Sequence, residues 1–314
     1  MSTKLKGTIY GVIAAVSYGT NPLGALFLYK EGLNVNSVLF YRFSLAAIIL
    51  AGIIFVQKKS FGVTRKELGL LGILGILFAT SALSLFTSFH YMDAGVASTI
   101  LFVYPVMVAV IMALFFKEKL SMVTVLSISL ALGGIALLYN GEGGSTLSSI
   151  GVLLVMLSSL TYAVYIIVVN KSTLMMSSVK LTFYVLIFCM LVIVVHSFSE
   201  TKNHLQLLTT PSMWMWAAML ALVPTVISLI TMVKAVHAIG STPTAIMGAL
   251  EPLTAVVIGI AIFGEILTVR LATGIVLILS AVIIIIAGKS ITPLKLHAAV
   301  NSVGRVLKKY FRWK

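Results

Sequence analysis

TPTAIMGALEPLTAVVIGIAIFGE, residues Thr242 to Glu265, is an apolar run long enough to cross a bilayer at about 20 residues per crossing, yet it carries Glu251 and Pro252 near its middle. A carboxyl group at the centre of a lipid-facing helix costs roughly 2.5 to 3.5 kcal/mol on insertion scales, so Glu251 is expected to face a polar interior. Pro252 removes a backbone hydrogen bond beside it. Together the two residues point to a binding or gating site. The alternative is a buried, protonated glutamate hydrogen-bonded to a neighbouring helix.

The rest of the chain is equally apolar. Of its 314 residues 60% are hydrophobic and 10% charged, where soluble domains run at about 45 to 50% and about 25%. One buried domain with a tail cannot produce that excess, so the chain is read as an all-α, polytopic membrane protein. The single cysteine, Cys189, excludes an intramolecular disulfide or a cysteine metal cluster and reads as an inert buried thiol. The first apolar stretch, Gly7 to Tyr29, is too long for a signal-peptide core and is expected to be an uncleaved span.

Hydropathy predicts ten spans, near 6–29, 36–57, 68–89, 93–116, 121–139, 147–170, 179–198, 212–236, 240–264 and 268–288. Of 22 lysines and arginines, 18 fall at the N-terminus, in 58–66, 117–119 and 171–180, at Lys234 and in the C-terminal tail. The positive-inside rule then places both termini in the cytoplasm, which requires an even number of spans. The net charge of +14 follows from this topology rather than from nucleic-acid binding, because no segment between spans is long enough for a basic soluble domain. Beyond Pro293, a stripe of Leu296, Val300, Val303, Leu307 and Tyr310 beside Arg305, Lys308, Lys309 and Arg312 predicts a cationic helix on the cytoplasmic leaflet. A frayed basic tail that only enforces topology is the alternative.

The chain also repeats itself. A shift of 147 residues lays YPVMVAVIMALFFKEKL (Tyr104 to Leu120) over EPLTAVVIGIAIFGEIL (Glu251 to Leu267), matching Pro105 with Pro252, Glu118 with Glu265 and Leu120 with Leu267. A fainter echo sets Ser17-Tyr18 against Thr161-Tyr162. Two units of five spans follow, residues 1–140 and 147–288, with 289–314 as a basic cytoplasmic tail. Because five is odd, the second unit enters the membrane from the opposite side, an inverted repeat with its site near the midplane.

With these features the sequence resembles the EamA-type carriers of the drug/metabolite transporter superfamily, over roughly residues 6 to 288. The residues that carry the resemblance are Arg42-Phe43 in the second span, the Leu250-Glu251-Pro252 triplet, Glu118 and Glu265, and glycines in the fifth and tenth spans. The family pattern often has two glycines in each of those spans. Here the fifth has Ser127 then Gly134, and the tenth Gly274 then Ala281. The resemblance implies ten helices, transport of metabolites such as amino acids, and a cavity walled by spans three, four, eight and nine. Spans five and ten would lie behind it, with a homodimer contact open to them.

The candidate substrate-binding or coupling residues are Glu251, Tyr104 and Thr99, with Ser84, Thr87 and Ser88 in the third span and Ser228 and Thr231 in the eighth. Pro105 and Pro252 are the candidate hinges. Hydroxyls spaced by three or four share a helix face, which suits a polar path and helix–helix packing equally. Arg42 either attracts an anionic group or snorkels to the outer surface. Asn21-Pro22 either opens a backbone carbonyl to substrate or is a kink satisfied by neighbours. His90 and Asp93 are a proton entry point or a solvated pair.

No catalytic residue, metal site or cofactor is expected: there is no phosphate-cradling glycine loop, metal-spaced cluster or assembled nucleophile. The expected function is a secondary transporter of small metabolites, best a zwitterion such as an amino acid, exported across the cytoplasmic membrane by alternating access. Its partners are the substrate, the lipid bilayer and a coupling proton. A passive facilitator of the same fold and a membrane-embedded enzyme are the competing readings, the second disfavoured by loops poor in carboxylates and histidines.

Overall fold

A computed structural model describes residues 3–117, 122–139, 147–172, 174, 176–199, 204–240, 244 and 246–290. All regular structure among them is helical. The elements are α1 (Thr3–Gly19), α2 (Asn21–Lys30), α3 (Val35–Val56), α4 (Arg65–Ser88), α5 (Ala94–Leu101), α6 (Tyr104–Phe116) and α7 (Met122–Tyr139). There follow α8 (Ser149–Lys171), α9 (Ser178–Ser197), α10 (Pro211–Ala221), a π-helical stretch (Leu222–Ile227), α11 (Ser228–Ile239), α12 (Leu250–Phe263) and α13 (Val269–Ser290). Among the described residues seven helical segments are long and apolar enough to cross a membrane, and three shorter apolar helices lie within α7, α12 and α13. Glu118, Leu120, the segments 140–146 and 200–203, and the tail from 291 onward lie outside the described residues.

Local signals start the helices. Asn34, Ser148, Ser177 and Thr210 each accept a backbone N–H from the first turn of α3, α8, α9 and α10. Thr64 and Glu67 form a reciprocal capping box at α4. Packing then relies on small residues, as expected where lipid is as apolar as the helices and close backbone approach does the work. Ser81 of α4 and Ser158 of α8 each donate to the other's carbonyl, at 3.0 and 2.7 Å. Buried Cys189 of α9 sits 3.3 Å from the Gly75 carbonyl of α4. Gly134 of α7 and Gly274 of α13 lie against one another.

Four of the expected continuous spans are interrupted, and a proline stands at each interruption. Hydropathy averages over such breaks, so the sequence reading missed them. The first span divides at Thr20 and the fourth at Phe102–Val103. The eighth passes through the π-helical stretch, and the ninth turns at Gly248–Ala249. Glu251 therefore sits in the first turn of α12 rather than in the middle of a helix. Pro105 and Pro252 likewise begin their helices, where a missing N–H breaks no bond of that helix.

Each proline frees the carbonyl four residues earlier, and each freed carbonyl finds a donor. Asn21 Nδ2 donates to Tyr18 at 2.9 Å, and Ser159 Oγ of α8 donates to Leu101 at 3.1 Å. Thr225 Oγ1 donates to Leu220 at 2.9 Å, and the Glu251 N–H donates to Gly248 at 2.9 Å. No water competes for these groups in a membrane interior. Ser159→Ala should therefore leave the Leu101 carbonyl without that donor and lower stability by about 1 to 2 kcal/mol, measured by unfolding titration in mixed micelles. An unchanged midpoint would mean that this carbonyl is served another way.

The proline and the helix exit recur at the 147-residue offset, and the break recurs within one residue of it. The Phe102–Val103 break lies just before Tyr104-Pro105, and the Gly248–Ala249 break lies one residue further ahead of Glu251-Pro252, so the prolines are 147 apart and the breaks 146. Both helices end on a left-handed residue, Lys117 at φ 56° and Gly264 at φ 73°, which are also 147 apart. Glycine takes that conformation freely, whereas lysine adopts it with strain.

Candidate functional site

Three of the four helix breaks meet at a cavity. Its walls come from α1 and α2 (Tyr18, Gly19, Asn21, Pro22), the α5–α6 break (Ser98, Leu101, Phe102, Tyr104), Tyr162 of α8, Leu85 of α4, and Glu251-Pro252 of α12. It holds about 420 Å³ of empty space, its open side included. The two residues related by the repeat, Tyr104 and Glu251, thus line one cavity. So do the two members of the fainter echo, Tyr18 and Tyr162. The Tyr104 and Tyr162 rings meet edge-on at 4.8 Å. Among the described residues the Glu251 side chain has no ion pair or hydrogen bond, and Asn21 Oδ1 is buried without a partner. The lining is acceptor-rich, suited to an ammonium group or a proton.

A second cavity, of about 620 Å³ including its mouth, shares Tyr18 and Tyr162 as a common wall. Arg42 of α3, Thr182 of α9, and Pro224, Thr225 and Ser228 line its polar part, while Phe78 and Tyr165 add aromatic faces. Arg42 is only 3% exposed, with Nε donating to Thr225 Oγ1 at 3.1 Å. The snorkelling alternative for Arg42 is thereby overturned: the side chain turns inward because Tyr18 and Thr225 offer it polar contacts there.

The EamA-like transporter family matches residues 5–140 and 149–287. The chain belongs to that family. Curated relatives include proteins described as uncharacterized transporters. One, from Clostridium kluyveri, is 25% identical over 53% of this chain and 56% of its own length. Another, from Haemophilus influenzae, is 26% identical over 51% and 54%. In these two matches the chain spans about half the length of the relative. A third, from Archaeoglobus fulgidus, is 25% identical over 87% of this chain and 93% of its own. A solved crystal structure shares the fold at TM-score 0.64 and 15% identity, over 88% of this chain and 95% of that one. This EamA-like chain is thus a multi-pass membrane protein of a transporter family.

The cavities of the EamA-like chain take in more helices than the resemblance implied, since spans one, two, six and seven also contribute walls. Of the candidate residues, Glu251, Tyr104 and Pro252 line the first cavity and Ser228 the second. Pro105 adjoins the first through Tyr104. Ser84, Thr87, Ser88, Thr99 and Thr231 line neither. Ser88 and Thr99 are buried and bonded to the Leu85 and Gly95 carbonyls of their own turns. Thr231 bonds back to Ile227, and Ser84 is buried in packing. Residues the sequence reading did not place in the candidate set are Tyr18, Tyr162 and Ser98. The signal for the two tyrosines was their place in the repeat.

At one end of the bundle, Glu265 Oε1 accepts the Ala94 N–H at 2.9 Å and its carboxylate also takes the Gly95 N–H. Glu265, two residues beyond α12, thus caps α5, whose own N-cap, Asp93, makes no side-chain cap bond. Partial burial, then the nearby Asp93 charge, push the Glu265 carboxyl above its ordinary range, against the pull of the two amides. Burial raises Asp93 and lowers His90, whose ring stacks on Tyr29 at 4.4 Å. Among the described residues these two form no ion pair, so His90 is organised by Tyr29 rather than by Asp93.

Proposed function

We propose that the protein is a secondary transporter that exports small zwitterions, amino acids or close relatives, across the cytoplasmic membrane by alternating access. The observation that carries this reading is Glu251, an unpaired carboxyl at a helix break, sharing a cavity with its repeat counterpart Tyr104. An ionisable group placed there changes its interactions when the cavity opens to water or receives an amine, which gives a ligand or proton unequal purchase on the two states. Ten spans in two inverted units, 1–140 and 147–288, belong to the same reading. The recurrence of the proline and the left-handed cap at one offset, with a helix break just ahead of each proline, supports it. So does the family's match in two stretches. A homodimer through the outer faces of α7 and α13 fits, because Leu132 and Val276 are exposed there. Family membership and the relatives' descriptions favour transport over catalysis.

The test is flux of radiolabelled amino acids in proteoliposomes with and without an imposed proton gradient. Concentrative, gradient-dependent movement is expected. Flux that only equilibrates, and ignores the gradient, would mean a passive facilitator. Absence of flux for every amino acid would reject the zwitterion assignment.

Topology has its own check. Reporters fused after Lys59, Lys171 and Lys314 are expected to be cytoplasmic, and reporters in 141–146 and 200–204 external. A cytoplasmic signal from either external segment would overturn the ten-span arrangement.

A further inference from the structure

A buried guanidinium is among the most costly groups to hold in an apolar interior unless an anion accompanies it. Arg42 is buried, yet among the described residues no carboxylate forms an ion pair with it. What surrounds it is neutral. Its carbon Cζ stands 5.4 Å from the ring centroids of both Phe43 and Phe86, and Tyr18 lies alongside. These contacts stabilise the planar cation without neutralising it. One side of the fork is fixed by Nε donating to Thr225 Oγ1.

The placement of Thr225 is itself specified by the sequence. Pro224, in the π-helical stretch, frees the Leu220 carbonyl of α10, the Thr225 hydroxyl donates to that carbonyl, and the hydroxyl oxygen is left to accept from Arg42. Arg42 is thereby held by an acceptor with no charge. Tyr18 takes a further hydrogen bond with the guanidinium, which stands at the wall of the second cavity, where Ser228 and Thr182 add hydroxyls and Tyr162, Tyr165 and Phe78 add rings. The Phe78 and Tyr165 rings lie 5.4 Å apart and the Tyr162 and Tyr165 rings stack at 5.9 Å, giving an apolar bed beside a fixed positive charge.

We infer that Arg42 binds the carboxylate, or an equivalent small anionic group, of the transported molecule, with the rings of Phe78, Tyr162 and Tyr165 receiving its apolar body. A planar fork matches a carboxylate in two parallel hydrogen bonds, and in a dry site such charge-assisted bonds are the strong ones. The assignment deepens the zwitterion reading and rests on it. Glu251 and Arg42 line two cavities that share Tyr18 and Tyr162. Tyr18 and Tyr162 are the side chains that an occupant of either cavity can touch.

The test uses the full-length protein in lipid nanodiscs and a chloride-free buffer, with benzoate as the probe and benzamide as its uncharged isostere. Benzoate is expected to raise the unfolding midpoint saturably, benzamide to leave it unchanged, and chloride not to reproduce the effect. Arg42→Lys, which keeps the charge and loses the fork, should bind benzoate roughly tenfold more weakly. Arg42→Gln should lose the response. Equal shifts from benzoate and benzamide in the unaltered protein would overturn the assignment, whether or not the variants fold. So would a full response in Arg42→Lys and Arg42→Gln, and chloride matching benzoate would mean an inorganic anion site instead. If amino-acid flux fails while Arg42-dependent benzoate protection remains, the zwitterion reading falls and the anion site stands. Flux without benzoate protection has the opposite meaning.

Discussion

Glu251→Gln is expected to lower the rate of substrate transport by roughly ten- to a hundredfold and to flatten its dependence on pH. The size follows from the interaction removed: a hydrogen bond to a charged group is worth about 1.5 to 3 kcal/mol, and every 1.4 kcal/mol is tenfold. The amide fills the same volume and still accepts a hydrogen bond, so the start of α12 and the Gly248–Ala249 turn should be retained. What the amide lacks is a second protonation state, and with it the means to favour one conformation when water or an amine enters. Initial rates in proteoliposomes across a pH series, for the variant and the unaltered protein at equal reconstitution, provide the measurement. If the glutamine protein transports normally at every pH, Glu251 is a structural residue. The substrate contacts would then be sought at Asn21 and Ser98 on the same cavity.

How much of this was legible beforehand varied with the kind of signal. Glu251 and Pro252 stood out because an ionisable group in an apolar run has few reasons to be there. The all-helical membrane class followed from composition, and the 147-residue match pointed to Tyr104 as the counterpart of Glu251. The hydroxyl stripe of Ser84, Thr87 and Ser88 misled in part, since a serine that bonds its own turn, as Ser88 bonds Leu85, has the same spacing as one lining a path. The sequence left Arg42 open between an anion contact and the outer surface for another reason. Its acceptor, Thr225, lies 183 positions away and is presented by a π-helical stretch that hydropathy cannot detect. The breaks at Phe102–Val103 and Gly248–Ala249 were hidden because their residues are as apolar as the helices they divide.

Two neighbouring glycines of α7 should respond in opposite ways to alanine. A Cβ on Gly134 would stand 2.9 Å from the Gly274 carbonyl oxygen and 2.7 Å from Ile278 Cγ1, both on α13. A Cβ on Gly274 would in turn stand 3.1 Å from the Gly134 carbonyl oxygen and 2.9 Å from Leu138 Cγ. Ile278 can adjust its rotamer, but the carbonyl cannot, so the two helices must separate along their contact. Gly134→Ala is accordingly expected to destabilise the protein by about 1 to 3 kcal/mol, the usual range for overpacking. Gly133 has nothing within 4 Å of the same built atom, so alanine there adds no clash. It removes the excess backbone freedom of glycine in a helix and should stabilise by roughly 0.5 to 1 kcal/mol. The sign difference between adjacent positions separates close packing from a general intolerance of α7, and unfolding titrations of both variants in mixed micelles read it directly. A loss at Gly133 equal to that at Gly134 would show that the outer face of α7 is packed as well. In that case the homodimer would be the first explanation to test, because among the described residues nothing lies within 4 Å of a Cβ at Gly133.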